Sequence, residues 1–464
     1  MKKFFYLVLS FVIAASFFIS CDDDTKDPIT PQKFLEKDTV VIHDTVFVDK
    51  VIPTYKFTAQ LKSDMDIKFE NFSVTVEDTT VLTDEKGSFV LYLKEGDYKL
   101  SVEKNNFYYR IGEKNYVVSS KESYDFKITK NYDAKQTFDV VFDVKEVNKM
   151  PILITEVYCS NVTYHDEESN SNKTLQKDKY IKLYNNSSVR VAVKNFCFSI
   201  AFPYMSNTVS QNHFDESKNE GWTPSADAIW YTEEIEFEPY EEKVFVIFSA
   251  EDYTSLGGVN LKNENYYCLI DMSSAYKNPN SYTEPSEVNT KFDVVVYGVG
   301  NAWVIGNSPA LFIYSLGDES PKDFAEKIDN QIKLQGYDWG KTGSSLKIRN
   351  VDIIDAVDIR NGTNASYKQR LPEIVDKGFV TETTLGKGYS CYRNVDKEAT
   401  EQLPENKDKI VYGYAFGTEN ISGSTDPSGI DAQASIKNGA HIIYLDTDNS
   451  SNDFHQRSQA TLKD

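Results

Sequence analysis

Apolar and polar residues alternate along most of this chain. Residues 72–76 (Phe-Ser-Val-Thr-Val), 88–93 (Ser-Phe-Val-Leu-Tyr-Leu) and 137–144 (Thr-Phe-Asp-Val-Val-Phe-Asp-Val) carry the two-residue period of half-buried strands, separated by polar turn residues. Further strand runs follow at 152–158, 179–186, 189–193, 196–200, 237–247 and 309–314. One stretch, 321–332, has helical spacing instead, with Pro321 near its start, and predicts a short amphipathic helix. The pattern predicts an all-β protein: a small β-sandwich over residues 53–148 and a larger one over 151–464. The larger region far exceeds the roughly 100 residues of a minimal sandwich, so the excess is assigned to insertions at 201–232, 250–300 and 317–345. Long connections on a rigid sandwich are where binding tends to reside.

The first residues have a different character. Lys2 and Lys3 precede an apolar run from Phe4 to Ile19, then Ser20, Cys21 and three aspartates. This is the architecture of a signal peptide covering residues 1–20, and the acidic flank argues against a permanent membrane helix. Residues 25–37 lack periodicity and read as a tether. A duplicated Asp-Thr-Val unit at 38–40 and 44–46 continues it as an extended stalk or edge strand, so that 21–52 form one linker.

Phe-Ile-Ser-Cys at 18–21 resembles a bacterial lipobox, which implies acylation of Cys21 and a lipid anchor in the outer membrane. Cys21 with Asp22, Asp23 and Asp24 resembles the acidic tag of Bacteroidetes lipoproteins displayed at the cell surface. Residues 83–89 (Thr-Asp-Glu-Lys-Gly-Ser-Phe) followed by 95–98 (Glu-Gly-Asp-Tyr) resemble the carboxypeptidase-regulatory-like, prealbumin-like module, most examples of which are spacers. The order 152–158 (Ile-Leu-Ile-Thr-Glu-Val-Tyr), 179–186 (Lys-Tyr-Ile-Lys-Leu-Tyr-Asn-Asn), 237–247, 309–314 and 354–357 (Ile-Asp-Ala-Val) resembles the lamin-tail domain, an immunoglobulin-like sandwich. Lys182 stands where that family usually has an acid. The region 151–464 is also similar to an uncharacterised family of Bacteroidetes lipoproteins that end as this chain does at 453–463, Asp-Phe-His-Gln-Arg-Ser-Gln-Ala-Thr-Leu-Lys.

Charge narrows the partners. Fifty Lys and Arg against 71 Asp and Glu give a formal net charge of −21, and no dense basic cluster exists to displace counterions from a phosphate backbone. Nucleic acid is therefore excluded as an expected partner. Cys159, Cys197, Cys268 and Cys391 fit either two disulfides in any of three pairings or four buried thiols. No Gly-x-Ser-x-Gly, His-Glu-x-x-His or phosphate-loop motif occurs, and Gly298 and Gly300 read as a turn between strands.

Two groups of residues could carry binding. Trp222, Trp230 and Tyr231 in the first insertion, Tyr266, Tyr267, Tyr276 and Tyr282 in the second and Trp339 in the third fall outside the strand alternation; flat rings on loops stack on sugar faces or porphyrins, or else form small cores under the insertions. Asp446, Asp448, Asn449 and Asp453 crowd hard oxygens in a calcium-like composition without the glycine and terminal glutamate of an EF-hand; an Asx-rich turn is the alternative. His441 and His455 flank that segment. Thr39, Thr45 and Thr79 each follow an aspartate and resemble Bacteroidetes O-glycosylation acceptors.

The expectation is a non-enzymatic surface lipoprotein that captures a ligand (glycan, haem, metal or protein) or docks on a partner. The lipoprotein resemblance implies that the partner is a TonB-dependent transporter. The rival expectations are an adhesin or envelope-structural protein, and a hydrolase with an unfamiliar site.

Overall fold

The computed structural model describes residues 53–463 except 66, 68, 112–113, 130–134, 148, 204–205, 207–219, 227, 249, 270–289, 292, 297–307, 334–343, 362–368, 383–385 and 414–425. The protein is all-β with a few short helices, and no helix among the described residues is long and apolar enough to cross a membrane. Two compact units divide the chain. One holds the described residues up to Ser101 together with Ser123–Asp139; the other holds Val102–Glu122 and the chain from Val140 onward.

In the first unit Tyr55–Lys62 pairs antiparallel with Ser88–Leu93 and parallel with Lys135–Asp139. Alternation does what it predicts: Phe57, Ala59 and Leu61 are buried and their neighbours are not. Phe57 stacks on Phe126 with ring centroids 4.6 Å apart. The Thr-Asp-Glu-Lys-Gly-Ser-Phe run is a tight turn. Asp84 Oδ1 accepts from the backbone N–H groups of Lys86 at 2.9 Å and Ser88 at 2.7 Å, and Gly87 sits at φ 75°. A Cβ there would lie 2.8 Å from Phe69 Cβ, so the position needs glycine twice over, for its φ and for the close approach.

The second unit is a sandwich of two large sheets. One has seven strands in the order Thr290–Lys291, Tyr267–Leu269, Glu242–Phe248, Asp178–Asn185, Ile152–Tyr158, Ser390–Arg393, Phe454–Arg457. The other has six, Asp293–Val296, Ala228–Phe237, Val191–Ile200, Ala310–Ser315, Ile353–Asn361, Val380–Glu382. Between them lies a core that includes Ile154, Ile181, Phe198, Phe245, Ile313 and Val357. The runs at 189–193 and 196–200 join into one strand, interrupted only where Asn195 takes φ 41°.

Both sheets are covered on their outer faces too, which is why their strands read as almost continuous apolar runs. A small sheet of Trp222–Ser225, Ser344–Arg349 and Gln331–Lys333, with the helix Pro321–Glu326, packs Leu346, Ile348 and Phe324 against Phe312 and Tyr314 of the six-stranded sheet. The helix begins where expected, with Ser320 Oγ accepting from Asp323 N–H at 3.2 Å, but ends at Glu326. On the seven-stranded sheet, the C-terminal segment lays Val395, Ile430, Ile442 and Tyr444 over Leu153, Tyr184 and Tyr392.

Cys159, Cys197, Cys268 and Cys391 are buried and form no disulfide among the described residues, and burial pushes the Cys197 thiol up. Cys197 itself faces the layer of the small sheet.

Candidate functional site

Register places the long connections. In the six-stranded sheet Ile200 pairs with Leu311, Ala310 with Asp358 and Ala228 with Val296, so the connections 201–227, 297–309 and 362–379 all depart from one end. In the other sheet Tyr158 pairs with Tyr180, Asp178 with Phe248 and Ile247 with Leu269, and connections 159–177, 249–266 and 270–289 likewise leave together. These are the same end of the sandwich. At the opposite end Asn185 Nδ2 bridges the sheets by donating to Glu238 O at 2.9 Å, and midway the Phe198 and Phe245 rings meet at 4.9 Å. Of the three expected insertions, the third departs from the other end: it follows Ser315, at the far end of its strand, and packs on the six-stranded sheet through its helix and the small outer sheet.

Buried charges pin the roots of these connections. Arg370 is fully buried; its Nη2 donates to Asp358 Oδ1 at 2.6 Å and to Ile359 O at 2.7 Å, and its Nη1 to Ser308 O at 2.7 Å and Pro203 O at 3.3 Å. One guanidinium thus ties three connections and a core strand. Ser308 Oγ and Ser206 Oγ add bonds from Ser206 N–H and Asn361 N–H. On the other sheet Tyr158 OH donates to Asp178 Oδ2 at 2.9 Å, and Lys179 Nζ donates to Asn161 Oδ1 at 3.0 Å and to Cys159 O. Burial pushes the Asp178 carboxyl up to about 6, against the Tyr158 bond and Lys179, which lower it. Gly258 closes over this pair: a Cβ there would lie 2.6 Å from Leu175 Cδ2 and 2.7 Å from Asp178 Oδ2.

A second buried network joins connection 362–379 to the C-terminal segment. Asp376 accepts from Ser450 N–H and Oγ–H, both at 2.7 Å, while Ser450 Oγ accepts from Asp358 N–H at 3.1 Å. Burial pushes Asp376 up to about 8, with the charges of Asp355 and Asp358 acting in the same direction.

The aromatic candidates separate. Trp230 and Tyr231 do not lie on a loop: both are in the strand Ala228–Phe237, buried on opposite faces, Trp230 in the central core and Tyr231 against the outer layer. Their expected role as exposed platforms is thereby corrected, because continuous burial of this strand on both faces hides its alternation. Trp222 is half-buried at the edge of the small sheet, with Lys347 Nζ 4.6 Å from its ring centroid. Trp339, Tyr276, Tyr282, Gly298 and Gly300 lie outside the described residues, as do Cys21, Thr39 and Thr45. Thr79 is exposed in the strand Thr79–Leu82.

The aspartates of the C-terminal run point elsewhere. Asp453 accepts from Thr447 N–H at 2.9 Å and Thr447 Oγ–H at 2.7 Å, Asp446 faces Arg393 at 3.5 Å, and Asp448 pairs with Lys149. This is an Asx-rich turn tied to buried Arg393, whose Nη2 holds Asp355 at 2.5 Å. Among the described residues no group of three or more His, Cys, Asp or Glu side chains is arranged to hold a metal ion. His455 is buried and kept neutral, its Nδ1 2.7 Å from Asn394 Oδ1 and its Nε2 accepting from Arg457 Nε at 3.1 Å. His441 stacks on Tyr240 at 4.2 Å.

The 453–463 run is therefore a fastener. Besides Asp453 and His455, Thr461 N–H donates to buried Glu156 Oε1 at 3.0 Å. Lys182, in the position noted for its unusual charge, donates to Glu242 at 2.8 Å and lies 3.8 Å from Glu156. Sequence reasoning missed the roles of Arg370 and Asp358. The available signal was Asp355, Asp358 and Arg360 inside the apolar run Ile353–Asn361, where charge demands a buried partner.

No protein-family model and no curated protein matches the sequence. One solved structure is similar. It is a DUF4876 family protein from Bacteroides thetaiotaomicron VPI-5482, with a TM-score of 0.47 and 15% identity over 86% of this chain and 94% of that one.

Proposed function

We propose that this chain is a surface lipoprotein, anchored through Cys21, that captures a ligand or docks on a partner with the loop-bearing end of its larger sandwich. The observation that supports this reading is the concentration of six connections at one end, with roots fixed by Arg370, Asp358, Asp178 and Lys179. Fixed roots beneath long connections reduce the ordering cost of binding. A nutrient-uptake role beside a TonB-dependent transporter is the most specific form of the proposal, and binding rather than catalysis is the activity we assign.

Two experiments test it. Metabolic labelling with a fatty-acid analogue should mark the wild type and not Cys21→Ala, and label retained by the variant removes the anchor. The purified mature chain, screened against a glycan array and haemin, should bind one of them. That binding should be lost when residues 207–219 and 362–368 are replaced by Gly-Ser linkers of equal length, with the melting temperature preserved. Binding that survives the replacement moves the site off this end; absence of any binding turns the reading toward an envelope-structural role.

A further inference from the structure

We propose that the ε-amine of Lys179 condenses with the side-chain amide of Asn161 to form an isopeptide bond, releasing ammonia and locking the base of a hairpin on the loop-bearing end. The bond stands apart from any ligand this end takes.

The two side chains meet inside the fold. Lys179 is the second residue of the strand Asp178–Asn185, and Asn161 follows the end of Ile152–Tyr158. Antiparallel register pairs Tyr180 with Tyr158, which sets Lys179 beside Cys159 and diagonal to Asn161. Lys179 is 2% exposed and Asn161 6%. Lys179 Nζ donates to Asn161 Oδ1 at 3.0 Å and to Cys159 O. The amide carbon lies one bond of ~1.2 Å behind that oxygen, so the nitrogen and the carbon it attacks are already neighbours. Burying an ammonium is costly, and conversion to a neutral amide removes the cost.

The step balances without an oxidant or a co-reactant. The Lys179 ammonium gives up a proton, the free amine attacks Asn161 Cγ, and the N–Cγ bond forms as Cγ–Nδ2 breaks; the departing ammonia leaves with the proton as ammonium. Asp178 is the neighbouring carboxyl that relays it. Asp178 is fully buried, and the Lys179 charge acts on it. Its Oδ2 accepts from Tyr158 OH at 2.9 Å, whereas Oδ1 has no hydrogen-bond partner among the described residues. Raised by burial to about 6, this group both takes and returns a proton near neutrality.

The bond has a structural task. Between Asn161 and Lys179 rises the hairpin of Val162–Asp166 and Ser171–Leu175, a two-stranded sheet of its own that is mostly exposed. Such a sheet is marginal in water, and a covalent tie across its base holds the two strands together.

Peptide mapping of the purified mature chain by mass spectrometry tests the proposal, since trypsin cuts between the two residues at Lys173 and Lys177. Wild type should yield the Asn161 and Lys179 peptides as one joined species, lighter than their sum by about 17 Da, the mass of ammonia. Lys179→Arg and Asn161→Ala should each give separate peptides. Asp178→Asn keeps an acceptor for Tyr158 and should lower the joined fraction about tenfold or more. Undiminished joining in Asp178→Asn overturns the relay. Wild-type protein whose two peptides run free overturns the bond itself, and because the digest is read after unfolding, that result does not depend on how any variant folds.

Discussion

Trp230 and Trp222 sit in the same stretch of chain and are expected to respond to substitution in opposite ways. Trp230 is among the largest fully buried side chains, and its indole Nε1 has no acceptor among the described residues. Trp230→Ala should cost ~3–5 kcal/mol through lost transfer energy and the cavity left behind. Trp230→Phe should cost far less, because it also removes a buried donor whose unmet bond is worth ~1–3 kcal/mol. Trp222→Ala should barely move the melt. Thermal unfolding of the three variants checks the ordering, and equal losses at 222 and 230 would contradict it. For Arg370, replacement by Met should cost up to ~3–5 kcal/mol, since buried Asp358 would lose its 2.6 Å partner and keep only Arg360 at 3.4 Å. The double variant with Asp358→Asn should recover part of that loss, measured by chemical denaturation.

Turns and strand ends set the limits on change at the level of elements. Gly258→Ala should destabilise by ~1–3 kcal/mol, because Leu175, Asp178 and Tyr253 leave no room for a methyl group and the closing of connection 249–266 over 159–177 depends on that approach. Gly413→Ala meets no atom within 4 Å and is strained only by its φ of 81°, so denaturant midpoints should separate a steric cost from a conformational one. Some of this was legible in advance. The turn at Asp84 and Gly87 could be read from spacing, since each residue has a local task there. The clamp at Arg370 could not, because its partners Pro203 and Ser308 lie 167 and 62 residues away.

For the whole molecule, buried carboxyls contribute a distinct response to pH. Asp376 is raised to about 8 and Asp178 to about 6, both chiefly by burial, against ~3.9 for an unfolded aspartate. The folded state then holds protons that the unfolded state has released. The stability these two groups contribute should therefore fall as pH rises from ~4 through 6 and on to 8, with no further change from them above that. Asp376→Asn keeps an acceptor for Ser450 and removes the titration, so its melting temperature relative to wild type should climb between pH 5 and pH 8. A difference independent of pH would show that Asp376 ionises normally in the fold. A separate consequence concerns modification. Thr79 is exposed on its strand, and intact-mass spectrometry of protein from its native host should show added hexose masses if the proposed O-glycosylation occurs.

The sequence by itself determined the fold class, many of the strands and the helix start at Pro321. All of these follow from short-range periodicity and local turn chemistry. It did not determine which aromatic residues face outward. Strands covered on both faces lose their alternation, so Trp230 and Trp222 look alike along the chain and differ only once sheet and outer layer are assembled. The aspartates at 446–453 were ambiguous for a related reason: an oxygen-rich turn binds a cation or braces itself according to what lies opposite. Here Arg393 and Lys149 arrive from strands and segments far away in sequence. The loop-bearing end was likewise decided by strand register, a long-range property that no window of residues contains.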